Sequence, residues 1–211
     1  MKRILPAVLS DTLEDYGKAI ELFESFKGND VIHIDIMDGE FVKTKSADLK
    51  EVLKLPTRLK RQVHLMVQEP QDLISLCIDH AVEEVAIHYQ AQLDSYDTIL
   101  NETQTKFFLA INPEVTPSDI EDELMNFDGV LIMTVNPGLQ GQGFLSDNLL
   151  KITELRQLGF EGTIIVDGSV NIDTIEEVCN YDVRDYVVGS GIIKQNDPAE
   201  AYRKLSLKLE L

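Results

Sequence analysis

Two histidines and two aspartates lie at positions where a strand reading aims them at one place. In Ile32-His33-Ile34-Asp35-Ile36-Met37-Asp38-Gly39 the alternation is strict. Strand side chains point to opposite faces with a period of two, so His33, Asp35 and Met37 share one face and the isoleucines share the other. The isoleucine face calls for an apolar cover. A strand whose polar side simply met water would carry Lys, Thr or Ser more readily than a His-x-Asp pair followed by Met. Burying His and Asp is costly unless both are satisfied, so this face reads as a site. Gln62-Val63-His64-Leu65-Met66-Val67 repeats the pattern, with His64 and Met66 on one face, and the apolar run Thr163–Val166 ends at Asp167 before Gly168-Ser169. His33, Asp35, His64 and Asp167 form a plausible four-ligand set. Imidazole plus carboxylate suits Zn, Fe(II), Mn or Co better than Ca or Mg. The spacing is not that of a zinc finger, so only a fold that gathers distant strand ends can assemble the site.

The elements that must do this follow one another regularly. Apolar strand-like runs occur near 4–9, 31–38, 62–67, 84–89, 106–112, 129–135, 163–167 and 186–190. Helical spacing separates them, near 12–27, 48–55, 70–79, 92–102, from Thr116, 147–158, 174–179 and 198–208. Strict β–α alternation implies a parallel sheet with helical crossovers. Eight such units predict an α/β fold, a closed (β/α)8 barrel forming a single domain over 1–211, in which all strand C-termini meet at one mouth. A doubly wound open sheet would gather strands two, three and seven less well.

Composition narrows the function. The chain has 211 residues, 44% apolar and 27% charged, in the globular range. A net charge of −18 argues against nucleic acid and against an anionic membrane as partners. No stretch is long and apolar enough to span a bilayer. The N-terminus does not read as a signal peptide, and Cys77 and Cys179 match no metal spacing, so a cytoplasmic protein with free thiols is expected. An anionic substrate would have to be held locally. Gly168-Ser169 and Gly189-Ser190 end strands seven and eight, where barrels of this kind often bind phosphate through backbone amides. Asn136 to Gly143 reads as a loop with three glycines, built to move. Met37, Met66 and Met133 fall near strand ends and predict an adaptable apolar lining. His80 reads as a surface residue, His88 as facing the mouth but outside the metal set, and Lys43 and Lys45 as solvated.

Along nearly its whole length the chain resembles the ribulose-phosphate 3-epimerase family. The matching segments are Pro6 to Ser10, His33 to Val42, Val63 to Val67, Met133 to Gly138, Gly141-Gln142, Val166 to Gly168 and Gly189-Ser190. The resemblance implies a barrel that holds one divalent metal and interconverts D-ribulose 5-phosphate and D-xylulose 5-phosphate through an enediolate. By position it implies metal ligation by His33, Asp35, His64 and Asp167, with Asp35 and Asp167 as the acid/base pair. Ser10 and His64 would contact substrate, Met37, Met66 and Met133 would line the sugar site, and Gly138, Leu139, Gln140, Gly141, Gly168, Ser169, Gly189 and Ser190 would surround the phosphate end. Departures fall at Lys43-Thr44, Leu139-Gln140 and Ser169, around the sugar and phosphate. A ketohexose 6-phosphate such as allulose 6-phosphate is therefore an alternative substrate, and a non-catalytic sugar-phosphate binding protein an alternative of another class. A homo-oligomer is expected.

Overall fold

The computed structural model describes residues 2–93, 103–138 and 142–210. Its strands are β1 (Arg3–Val8), β2 (Val31–Met37), β3 (Lys60–Met66), β4 (Glu84–His88), β5 (Lys106–Ile111), β6 (Gly129–Met133), β7 (Thr163–Asp167) and β8 (Asp185–Val188). Each pairs in parallel with the next, and β8 pairs with β1, so the sheet closes into a barrel in sequence order. The helices are α1 (Leu13–Glu24), α2 (Leu49–Leu53), α3 (Gln71–Asp79), α4 (Leu150–Gln157), α5 (Ile175–Cys179), α6 (Ser190–Ile193) and α7 (Pro198–Lys208). No helix among the described residues is long and apolar enough to cross a membrane.

Local chemistry accounts for the helix boundaries. Thr12 caps α1 by accepting from the Asp15 amide, and Glu14 and Asp15 place negative charge in the first turn, at the positive end of the helix dipole. Tyr16, Ala19, Ile20 and Phe23, at helical spacing, are its buried face. Asp48 caps α2, and Asp197 followed by Pro198 starts α7.

The strands are buried on both sides, and the period of two sorts their side chains. Ile32, Ile34 and Ile36 join the large apolar core between barrel wall and helices. A separate apolar cluster, including Leu5, Ala7, Phe108, Leu131, Ile165 and Val187, fills the barrel itself. At the N-terminal end of the barrel Arg3 pairs with fully buried Asp185 at 2.7 Å and with Glu84 at 3.1 Å, and Arg184 also reaches Glu84 at 3.1 Å. Buried charges are tolerated because each has a partner; removing one would strand another.

Three expectations need correction or fall outside the described residues. The stretch after Thr116 is not one helix but two short 3-10 segments, Pro117–Ile120 and Leu124–Asn126. The capping box of Thr116 and Asp119 starts the first, but the acidic run Glu121-Asp122-Glu123 then puts negative charge at the C-terminal end of that turn, where the dipole opposes it. The eighth strand stops at Val188, and Ser190 opens α6 rather than ending the strand. The helix expected over 92–102 lies almost entirely outside the described residues.

Gly129 shows how tightly β6 is packed: a Cβ there would lie 2.3 Å from the Thr163 carbonyl oxygen and 2.7 Å from the Phe108 ring. Gly129→Ala is expected to destabilise the protein by about 1–3 kcal/mol, the usual cost of overpacking. Urea denaturation of variant and parent checks this; an unchanged midpoint would mean that β6 and β7 can separate freely.

Candidate metal centre and active site

Strand register places the site. Asp35 lies opposite His64 on β2 and β3, and His33 lies opposite Gln62. Asp167 ends β7, which is three steps from β2 around the closed ring. Curvature brings these side chains together above the interior apolar cluster. His33 Nε2 lies 3.2 Å from Asp35 Oδ1 and 3.7 Å from Asp167 Oδ2. His64 Nδ1 lies 3.0 Å from Asp35 Oδ1 and 3.3 Å from Asp167 Oδ2. One donor atom from each of the four residues lies within 4.8 Å of the others.

The donor set fits a divalent cation. Tetrahedral coordination at ordinary Zn–N and Zn–O lengths puts ligand atoms about 3.4 Å apart; the four His–Asp separations run from 3.0 to 3.7 Å, and all four donor atoms lie within 4.8 Å of one another. Both imidazoles are fully buried, and Asp35 is nearly so. Two carboxylates this close, out of water, demand positive charge between them.

The electrostatics of the residues alone say the same. Burial works against a charged His64, but hydrogen bonds to Asp167 and Asp35 and their negative charge outweigh it, raising its pKa to about 9. His33 is raised as well: desolvation opposes its charge, and Asp35 supplies most of the compensation. Asp35 is burdened by burial, yet the two imidazoles hold its carboxyl below the ordinary carboxylate range. Protons on the imidazoles thus occupy the place of a cation.

Both rings are oriented from behind. His33 Nδ1 lies 2.6 Å from Gln62 Oε1, and His64 Nε2 lies 2.9 Å from His88 Nε2. His88 is buried, with the Phe41 ring tilted against it at 4.7 Å between centroids, and burial followed by the neighbouring His64 pushes its pKa down. A neutral His88 accepts the His64 Nε2–H, which turns His64 Nδ1 toward the cluster. His88 lies against His64, fully buried, and is not one of the four converging donors. Gln62 and Glu84 were not anticipated. Gln62 shares a period-two face with His64, and Glu84 shares one with His88; that was the available signal. The Tyr16 hydroxyl donates to the Asp35 carbonyl at 2.8 Å, fixing β2 against α1.

A cavity opens beside Asp35 and Asp167, and of the anticipated residues Met66, Met133, Gly138, Gly168, Ser169, Gly189 and Ser190 line it. Met37 and Ser10 do not: Met37 is buried next to Met66 in register, and the Ser10 hydroxyl donates to Asp15 at 2.9 Å. Leu139, Gln140 and Gly141 lie outside the described residues. His80 is exposed, as expected. Gly168 has a φ of +123°, and a Cβ there would meet the Val135 amide nitrogen at 2.8 Å, so the turn after β7 requires glycine. Ser169 follows at a φ of 53°, and its hydroxyl donates to the Gln142 carbonyl at 2.5 Å. That side chain joins the phosphate-side turn to the loop after β6. Thr44, another departure from the family pattern, donates to the Gly138 carbonyl at 3.1 Å and joins the loop after β2 to the same segment.

Residues 3–193 match the model of the ribulose-phosphate 3 epimerase family. The chain belongs to this family. A protein from Bacillus subtilis named ribulose-phosphate 3-epimerase is 33% identical, across 97% of this chain and 98% of its own length. An Arabidopsis thaliana protein named ribulose-5-phosphate-3-epimerase, chloroplastic, is 32% identical across 95% of this chain and 74% of its own length. Among solved structures, KGPDC from Streptococcus mutans superposes with a TM-score of 0.72 at 15% identity, covering 100% of this chain and 98% of its own. The 3-hexulose-6-phosphate synthase from Salmonella typhimurium gives 0.71 at 14% identity, covering 100% and 99%. At those identities the two structures speak to the barrel fold alone. Membership in the epimerase family makes this chain an epimerase-type enzyme, and its His/Asp cluster is able to hold a metal ion.

Metal binding in this family member should release protons, since imidazole must be neutral to ligate. Zn²⁺ affinity is expected to rise at least about tenfold per pH unit from pH 6 upward, and to level off as His64 passes its pKa of about 9. The metal-free protein should behave in the opposite sense. The stability that protonated His64 contributes is fully present below about 6.5, the ordinary imidazole value, and is lost as pH rises through about 9. Competition with a chromogenic chelator measures the first and denaturation of chelated protein the second. An affinity independent of pH would show that the imidazoles are already neutral.

Proposed function

We propose that this protein interconverts D-ribulose 5-phosphate and D-xylulose 5-phosphate by inverting C3, with Asp35 and Asp167 as the acid/base pair. One observation carries the reading: two carboxylates from separate sides of the barrel meet at one cavity, each within reach of the same two imidazoles. Family membership and the names of the relatives agree with it.

Inversion at a carbon next to a ketone needs a base on one face and an acid on the other. The C3 proton passes to one aspartate, leaving an enediolate. The other aspartate delivers a proton to the opposite face of C3. In the reverse direction the two exchange roles. Asp35 is ionised at neutral pH because the imidazoles outweigh its burial, so it starts as a base. His33 and His64 hold both carboxylates in place. A divalent cation held by His33, Asp35, His64 and Asp167 supplies Lewis-acid stabilisation of the oxygens that gain negative charge; Zn, Fe(II), Mn or Co suits these donors. Met66 and Met133 present apolar, polarisable surface to the sugar and limit water at the enediolate. The amides of the turns at Gly168-Ser169 and Gly189-Ser190 suit the phosphate, which a chain this acidic must hold locally.

Asp35→Asn and Asp167→Asn are each expected to reduce epimerisation by at least about a hundredfold, the scale of general acid–base catalysis. Each should still exchange the C3 proton of one epimer with deuterated water, and the two should differ in which epimer they exchange. Proton NMR with ribulose 5-phosphate and with xylulose 5-phosphate reads this, and metal content is measured alongside, because Asn is a weaker ligand. If both variants keep metal and neither exchanges either epimer, the two-base scheme fails. If the parent turns over neither epimer with any of the four metals supplied, the assignment itself fails.

A further inference from the structure

We propose that Gln62 and Glu84 are positioning residues that set the tautomer of His33, and through it the affinity of the four-donor site for its cation. The inference rests on reading those donors as a cation site.

The argument begins at the base of the barrel. The Glu84 carboxylate is an acceptor only. Its Oε1 lies 3.1 Å from Arg3 and 3.1 Å from Arg184, while its Oε2 accepts from Gln62 Nε2 at 2.5 Å and, at 3.3 Å, from Arg3. That contact fixes which way the Gln62 amide points. Its NH2 group is committed to Glu84, so its oxygen faces the other way, 2.6 Å from His33 Nδ1. An amide oxygen can only accept, so Nδ1 must carry the proton. Neutral His33 then has its bare lone pair on Nε2, and Nε2 is the atom that points at Asp35 and Asp167. The relay works because His33, Gln62 and Glu84 are register neighbours on β2, β3 and β4, so one line of hydrogen bonds crosses three strands at a single level. His33 and Gln62 are fully buried and Glu84 nearly so, which leaves no water to replace a lost partner.

Glu84→Gln tests the relay because it replaces one oxygen with NH2. Both guanidiniums reach the Oε1 position at 3.1 Å and only Arg3 reaches the other, at 3.3 Å, so the remaining oxygen faces the arginines and the new NH2 faces Gln62. Gln62 must then turn its oxygen to residue 84 and its own NH2 to His33. Nδ1 becomes an acceptor, and the proton moves to Nε2, where the cation would bind. Zn²⁺ dissociation constants from chelator competition are expected to rise 10- to 100-fold, the usual effect of losing a partner behind a metal ligand. The exchange variant Gln62→Glu with Glu84→Gln restores the pattern: an acceptor faces His33, NH2 joins the two side chains, and an oxygen faces the arginines. Its affinity should return to near the parent value. Gln62→Met removes the acceptor while leaving both arginine pairs intact, and should also weaken Zn²⁺; it serves if Glu84→Gln does not fold. A purely structural role would lower melting temperatures without moving the dissociation constant, and the exchange variant would not rescue. Parent-like affinity in Glu84→Gln or Gln62→Met, or an exchange variant as weak as Glu84→Gln, overturns the relay. A different result would strike the cation site itself: a parent that binds no Zn²⁺, or binds it equally well after His64→Ala, and the relay would fall with it.

Discussion

Two carboxylates that must share a dry pocket set the terms for everything around them. Asp35 and Asp167 offer donor atoms within 4.8 Å of each other and of two imidazoles. Bringing like charges so close while removing water is unfavourable unless positive charge sits among them. Protons on His33 and His64 meet that demand in the residues themselves, and a divalent cation meets it with the protons released. The closed barrel is what makes such a cluster possible. It brings residues 132 positions apart in sequence (35 and 167) to face one another across one ring, and parallel strands aim their ends at one mouth.

The interior of the barrel serves this cluster from below. Its apolar filling separates the reacting end from the ion pairs at the base, except along one polar line. That line runs from Arg3 and Arg184 through Glu84 and Gln62 to His33. A second, shorter arm runs from His64 to His88. Each metal-ligand imidazole therefore has its far nitrogen engaged by a buried partner, the arrangement that fixes ring orientation and basicity in metal sites. The polar line also links fold and chemistry in one set of hydrogen bonds, since the same Glu84 that pairs with two half-buried guanidiniums also holds Gln62.

The phosphate side follows a different logic. There the chain relies on backbone turns, and two side chains tie neighbouring loops together. Ser169 holds Gln142, and Thr44 holds Gly138. Both contacts flank the loop after β6, so Thr44 and Ser169 bind the segments that border the cavity.

Much of this was legible in the order of residues. Period-two alternation in β2 and β3 placed His33, Asp35 and His64 on inward faces, because a strand has only two sides and the isoleucines claim one. Strict β–α alternation implied parallel strands and hence a common mouth for Asp167. The stretch from Thr116 reads as a helix start, but a cap and a proline do not sustain a helix against an acidic run, and two short 3-10 segments form instead. Other features belong to the tertiary structure alone. Which way a glutamine amide points depends on a carboxylate two strands away in the ring's connectivity from His33, and that carboxylate's role depends on arginines at 3 and 184. The partner of the Ser10 hydroxyl is likewise a tertiary matter: Asp15, brought near by the first turn of α1, accepts from it. Sequence periodicity determines the face a side chain occupies; hydrogen-bond direction, and with it the protonation of His33, is decided only when the barrel closes and each buried donor must find an acceptor.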